Sequence, residues 1–274
     1  MKKILTIAGS DCSGGAGIQA DIKTITTHRM YAMSVITALT AQNTIGVSGI
    51  MEVDADFVAM QMDAVFSDIY PDAVKIGMVA NSDIIKIIAK KLVQYNAKNI
   101  VVDPVMVSTS GSRLLGEEAV TALREELLPI AALITPNIPE TKMLCGIEPT
   151  SEEEMEQAAK KIFTQVYQNN GRDGAVLVKG GHLIDSAVDV LREQSFTYVY
   201  HGYKIDNQNT HGTGCTLSSA IACNLANGLN AYESVKYAKK YINLALQAKM
   251  NLGAGSGPLN HMAANTWISK EILD

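Results

Sequence analysis

Apolar and polar positions along the chain fall into a repeating beat of short apolar runs and longer amphipathic stretches. "ILTIA" (4–8) is rich in β-branched residues and meets a glycine, as a strand buried on both faces does. "MSVITALTA" is a second such run. "AVKIGM", "NIVVDPV", "ALITPN" and "AVLVKGG" follow, each short, apolar and closed by Gly, Pro or Asn. Between them the period changes to that of a helix. "SDIIKIIAKKLVQY" sets Ile84, Ile85, Ile88 and Leu92 along one stripe. "SEEEMEQAAKKIFTQVYQ" opens with Ser151 as a cap and a Glu-rich first turn. Strands alternating with helices predict an α/β fold whose mostly parallel sheet is covered on both faces. "FTYVYHGYKI" alternates polar and aromatic residues, which predicts an exposed antiparallel strand near an edge. No long linker or repeat interrupts the pattern, so residues 1–274 read as one domain.

In an open parallel sheet, ligands bind beyond the carboxyl ends of the strands. The residues after each apolar run are "GSDCSGGAGIQAD", "QNT", "GM", "DPVM", "PNIPE" and "KGGH". Glycines and polar side chains therefore gather on one rim, which is the candidate site. "VSTSGSRLLG" (107–116) has the glycine and serine content of a flap over it.

Composition narrows the partners. The chain of 274 residues is 47% hydrophobic and 19% charged, enough for a large core, and its net charge of −5 argues against nucleic acid. Four scattered cysteines (Cys12, Cys145, Cys215, Cys223) form neither a disulfide framework nor a metal-ligand spacing. The amino-terminal apolar run is too short for a signal peptide, and no stretch approaches the roughly 20 apolar residues of a membrane span. These features predict a cytoplasmic protein without a membrane partner.

Two glycine loops carry candidate chemistry. "GAGIQA" (15–20) fits a dinucleotide fingerprint, but "TALTAQNT" stands where the acidic ribose partner belongs. A glycine turn packing a helix onto a strand, or a loop for another ligand, fits better. No P-loop motif occurs. "HGTGCTLSSAIA" (211–222) places Gly212 and Gly214 ahead of a helix with Leu217, Ile221 and Leu225 on one stripe and Gly228 to end it. Amides at such a helix start suit an anion. Cys215 falls in the first turn, where the helix dipole lowers a thiol pKa; the alternative is a small packing residue. Cys223 reads as core.

"GSDCSGGAGIQADIKT", "MSVITALTAQNT", "AVKIGM", "VVDPVM", "LITPNIPE", "VLVKGGH", "NTHGTGCTLSSAI" and "GPLNHM" occur in order over nearly the whole chain. Together they resemble the hydroxymethylpyrimidine and phosphomethylpyrimidine kinases of thiamine biosynthesis, in the ribokinase-like superfamily. The resemblance implies a three-layer α-β-α fold, ATP and Mg2+ as cofactors, a small pyrimidine as substrate and a homodimer. By position it implies a pyrimidine site at Gly9, Asp21, Gln42 and Met78. ATP would meet Asn137 and Lys179, and magnesium would meet Asp103 and Glu140. Gly212, Thr213 and Gly214 would form the anion hole, with Cys215 facing the acceptor hydroxyl. Cys12 stands where serine or proline is more common, and Ala32 where glycine is usual.

The residue types fit these roles. Phosphoryl transfer needs positioning and charge stabilisation, Asp103 and Glu140 are oxygen ligands, and a glutamine amide complements an aminopyrimidine edge. Local alternatives remain: Asp21 as a solvated helix carboxylate, Gln42 as a strand-end cap, and "PNIPE" as a helix start with Pro139 near its first position. Two other activities are weighed. A pyridoxal kinase of the same subgroup shares the glycine loops but tends to carry methionine at position 42. A cysteine hydrolase would pair Cys215 with His211.

Overall fold

The computed structural model describes residues 1–106, 115–181, 188–202 and 205–265. Strand β1 (Lys3–Asp11) turns through glycines into α1 (Gly17–Thr27), and β2 (Tyr31–Gln42) returns parallel to β1. A turn reverses the chain into β3 (Val47–Glu52), antiparallel to β2. Asp54 then caps α2 (Ala55–Asp68) by accepting from the amides of Asp56 and Phe57. β4 (Ala73–Ile76), α3 (Ser82–Gln94), β5 (Ile100–Val102), α4 (Glu117–Ala122) and β6 (Leu133–Ile134) keep the alternation. Two helices, α5 (Ile138–Cys145) and α6 (Glu152–Val166), precede β7 (Ala175–Gly180). β8 (Val188–Arg192) and β9 (Thr197–Tyr200) are antiparallel, and α7 (Thr213–Ala226) and α8 (Ala231–Gln247) follow.

The sheet order is β3-β2-β1-β4-β5-β6-β7-β8-β9, parallel from β2 to β7. Alternate strand residues point to opposite faces. Leu5, Ile7, Val74, Ile76, Val176 and Val178 pack with residues of α2 to α6. Ile4, Ala73, Val101, Ala175 and Leu177 face α1, α7 and α8. This is the expected three-layer α-β-α arrangement. The chain runs outward from β1 to β2 and β3, then returns to β4 on the other side of β1. Such a reversal opens a crevice at the carboxyl ends of the two strands. Gly9 and Met78 meet there: a Cβ at Gly9 would lie 3.4 Å from the Met78 sulfur.

The helix readings hold where periodicity carried them. Ile84, Ile85, Ile88 and Leu92 are buried, and Ser151 accepts from the Glu154 amide. β9 (Thr197–Tyr200) is the antiparallel edge strand expected from "FTYVYHGYKI", but it is half-buried rather than exposed. Strands β3 and β8 were not expected. The single stripe on α7 is corrected: Thr216 to Asn224 are all buried, and Leu225 only partly. Small residues such as Ser218, Ala220 and Ala222 let the helix sit between the sheet, α1 and α8. Gly228 does end it, at φ +90°. The flap reading falls on residues 107–116, of which 107–114 lie outside the described residues.

Candidate active site

Asp11 organises the first glycine loop. Burial alone would raise its carboxyl pKa. Hydrogen bonds from His211, Ser13 and the Ala16 amide outweigh burial and hold it well below the usual carboxylate range. Oδ1 accepts from the Ser13 amide and hydroxyl, at 2.8 and 2.7 Å. Oδ2 accepts from the amides of Gly15 and Ala16 and from His211 Nε2, the last at 2.8 Å. The loop therefore curls around one carboxylate and is tied to a histidine 200 residues away.

The second glycine loop packs on the first, backbone to backbone. A Cβ at Gly15 would meet the His211 ring at 2.2 Å, and one at Gly212 would meet the Gly15 carbonyl oxygen at 1.9 Å. Gly212 also has φ +83°, a conformation L side chains disfavour. "GAGIQA" is thus a glycine turn opening α1 and receiving the other loop.

Gly212 is the residue before α7. The Thr213 amide is engaged by the Thr210 carbonyl at 3.2 Å, and the first helical bond runs from Thr216 to Gly212. The amides of Gly214 and Cys215 lie between them without a backbone partner among the described residues. Opposite stand two charges: a Cβ at Gly214 would be 3.1 Å from Asp103 Oδ2 and 3.5 Å from Lys179 Nζ. Unpaired helix-start amides beside a lysine have the donors and the charge to hold an anion.

Lys179 Nζ bonds Asp103 Oδ1 at 2.7 Å, and Thr135 adds a second bond to that oxygen. Burial disfavours the charge on Asp103, but Lys179 and Lys75 outweigh it and lower its pKa. Burial likewise opposes the charge on Lys179, and Asp103 and Glu140 outweigh it. Glu140 behaves differently: burial pushes its carboxyl up to about 7, against the pull of Lys179. Asn137 and Glu140 form a capping box at the start of α5, with bonds of 2.9 and 2.8 Å. The helix-start reading of "PNIPE" therefore holds, and it aims Glu140 into the same buried charge cluster. Asp103 Oδ2 has no hydrogen-bond donor among the described residues. Among the described residues, no group of three or more His, Cys, Asp or Glu side chains is placed to hold a metal. Two carboxylates without a full cage suit an ion that brings phosphate ligands with it.

Beneath this layer lies a second ion pair, Lys75 to Asp21, at 2.9 Å. Asp21 also accepts from Thr6 and Ser219. The solvated alternative for Asp21 is excluded by its complete burial. With its oxygens so occupied, its bearing on the crevice passes through Lys75.

Cys215 is partly buried. Burial pushes its thiol up to about 11, Lys75 opposes that, and Asp21 and Asp103 add to it. The expectation of a lowered thiol pKa is corrected: at the start of α7, enclosure outweighs the dipole. His211 Nε2 is bound to Asp11. No Cys215–His211 hydrogen bond exists among the described residues, which removes the hydrolase dyad. Cys223 is core, as expected.

Gln42 ends β2 beside the second glycine loop. Its side-chain nitrogen lies 3.3 Å from His211 Nε2 and its oxygen 3.1 Å from Thr40 Oγ1. Cys12 brackets its backbone, donating to the carbonyl at 3.2 Å and accepting from the amide at 3.3 Å. Gly214, Cys215, Asp103, Glu140, Asn137 and Lys179 gather at the α7 start. Gly9 and Met78 meet past the ends of β1 and β4, and Gln42 stands beside His211, next to Gly212. Asp11 and Lys75 escaped the sequence reading. A lysine inside the apolar run "AVKIGM" was a usable signal, because a buried lysine needs a partner.

The family model described as phosphomethylpyrimidine kinase matches residues 11–260. The chain is 48% identical over 262 residues to the thiamine biosynthesis bifunctional protein ThiED of Geobacter sulfurreducens. That match covers 95% of this chain and 52% of the relative, so the chain spans about half that protein's length. It is 48% identical to the hydroxymethylpyrimidine/phosphomethylpyrimidine kinase of Rhizobium meliloti, covering 94% of this chain and 96% of the relative. The structure resembles an ADP complex of Bacillus subtilis pyridoxal kinase, with a TM-score of 0.87 and 37% identity, covering 97% and 99% of the two chains. A matched span that takes in both glycine loops and the Asp103–Lys179 pair makes this chain a member of the phosphomethylpyrimidine kinase family.

Proposed function

We propose that the chain transfers the terminal phosphoryl group of ATP to 4-amino-5-hydroxymethyl-2-methylpyrimidine and then to its monophosphate, giving the diphosphate used in thiamine biosynthesis. The observation that carries this reading is the α7 start, where free amides of Gly214 and Cys215 face Asp103 and Lys179. Preorganised donors of this kind stabilise charge that develops during transfer. In this reading Gly212, Thr213 and Gly214 shape the anion hole. Lys179 and Asn137 attend the nucleotide phosphates, Cys215 faces the acceptor hydroxyl, and Gly9, Gln42 and Met78 receive the pyrimidine. Asp103 and Glu140 would hold Mg2+, directly or through water. When bound, the ion would neutralise phosphate charge.

A second substrate, pyridoxal, is favoured by the similarity to a pyridoxal kinase. Gln42 argues for the pyrimidine, since its amide can pair with a ring acceptor and an adjacent amino donor. ATP consumption measured separately with the hydroxymethylpyrimidine, its monophosphate and pyridoxal decides between them. Turnover of both pyrimidines is expected; turnover of pyridoxal alone would overturn the assignment.

The same reading makes the protein a cytoplasmic homodimer. Its four free thiols suit a reducing compartment. Leu39 and Met51, paired across β2 and β3, stay 45% and 69% exposed, which supports a covered face. No helix among the described residues is long and apolar enough to cross a membrane.

A further inference from the structure

Hydrogen-bond chemistry around Gln42 constrains its side chain further. The Asp11 carboxylate only accepts, so the His211 ring proton sits on Nε2 and points to Oδ2 at 2.8 Å. The Gln42 side-chain nitrogen, 3.3 Å from that Nε2, is also a donor. Two donors face each other and form no bond. Thr40 Oγ1 has one proton but two acceptors, the Gln42 amide oxygen and the Ser10 carbonyl, each at 3.1 Å.

Turning the amide over removes both conflicts without changing its shape. Its oxygen then flanks the His211 N–H, and its nitrogen donates to Thr40. The Thr40 proton is released to Ser10, and the set becomes one directed chain. The amide keeps one N–H on the Thr40 side and one lone pair on the His211 side for a ligand.

We propose that Asp11, acting through His211, sets which way round the Gln42 amide stands. It thereby fixes the sense in which a ligand with a ring acceptor beside an amino donor is received. Asp11 and His211 are positioning residues in this scheme. The scheme rests on the reading of Gln42 as the pyrimidine-contacting residue.

Steady-state constants for hydroxymethylpyrimidine in the wild type, Gln42→Met, His211→Phe and the double variant test it. Phenylalanine keeps a ring over Gly15 and removes Nε2. Each single variant is expected to raise KM for the pyrimidine about 5-fold or more, with KM for ATP unchanged. The double variant should be no worse than Gln42→Met, because His211 acts through the amide. A silent Gln42→Met would overturn the pyrimidine-contact reading itself. A costly Gln42→Met combined with a silent His211→Phe, or with losses that multiply in the double variant, would overturn the positioning role alone. Should His211→Phe fail to fold, the wild type answers directly. The chain has five histidines, and proton–nitrogen correlation spectra of their rings separate the tautomers. His211 protonated at Nε2 is expected; protonation at Nδ1 alone would overturn the proposal.

Discussion

Lys75 Nζ lies 2.9 Å from Asp21 Oδ2, and neither side chain is exposed at all. A buried pair of this kind is hard to break and easier to replace, since removing one partner strands the other charge. Lys75→Met is expected to destabilise the fold by about 3–5 kcal/mol. Adding Asp21→Asn should recover part of the loss, because an amide still bonds Thr6 and Ser219. Urea midpoints of the two singles and the double measure this; a double variant as weak as the sum of the singles would deny the coupling.

With its thiol pushed up to about 11, Cys215 is protonated at neutral pH. Phosphorylation of the neutral alcohol should therefore quicken with rising pH toward that value, as thiolate becomes available to take the proton. Cys215→Ala should lose the rise and slow this step roughly 10²-fold. The monophosphate brings an ionised oxygen, so its phosphorylation should fall far less, with the backbone donors intact. Turnover with each acceptor across pH is the measurement, and equal losses would make Cys215 a packing residue.

Asp103→Asn and Glu140→Gln should each raise the magnesium concentration needed for half-maximal rate, since both keep size and remove a hard anion. Asp103→Asn should also loosen Lys179, its partner at 2.7 Å, and raise KM for ATP. Magnesium titrations at saturating ATP read the first effect. An unchanged dependence in both variants would make the carboxylates structural.

His28 and His261 are buried, and burial lowers both to about 4. His28 donates Nδ1–H to the Thr24 carbonyl at 2.8 Å, and its Nε2 has no hydrogen-bond partner among the described residues. The unfolded chain takes protons near pH 6.5, while the folded chain refuses them until about 4. Stability is therefore complete above about 6.5 and falls as pH drops toward 4, by up to ~1.4 kcal/mol per unit for each ring. His28→Gln should flatten that slope in urea denaturation between these limits. An unchanged slope would mean that His28 is not the titrating group.

How much was legible follows from what each signal depends on. The central parallel strands were readable because both of their faces are buried and the sequence is simply apolar there. β3 was not: "VSGIME" is largely exposed, and its pairing to β2 is set by a turn, with no hydrophobic pattern to announce it. β8, "VDVLR", alternates over too few residues to stand out. In the site, the helix start at Gly212 announced itself through glycine spacing. Asp11 did not, because an aspartate in a glycine loop reads as an ordinary turn residue; its partner is 200 positions away. The Cys215 pKa runs against the sequence expectation because position in a helix is local, whereas burial of the thiol, with Asp21 and Asp103 nearby, is tertiary.

The contact of Gly15 with Gly212 also bears on the order in which the protein is made. Emerging from the ribosome, the chain presents the first loop long before the second. Until α7 arrives, the Asp11 carboxylate has no histidine and Asp21 has no Ser219 hydroxyl. A chain stalled before residue 211 therefore holds neither an anion site nor a fully satisfied core. The site is thus completed only when the carboxyl-terminal helices fold back onto the first strand, so its two halves arrive at opposite ends of synthesis.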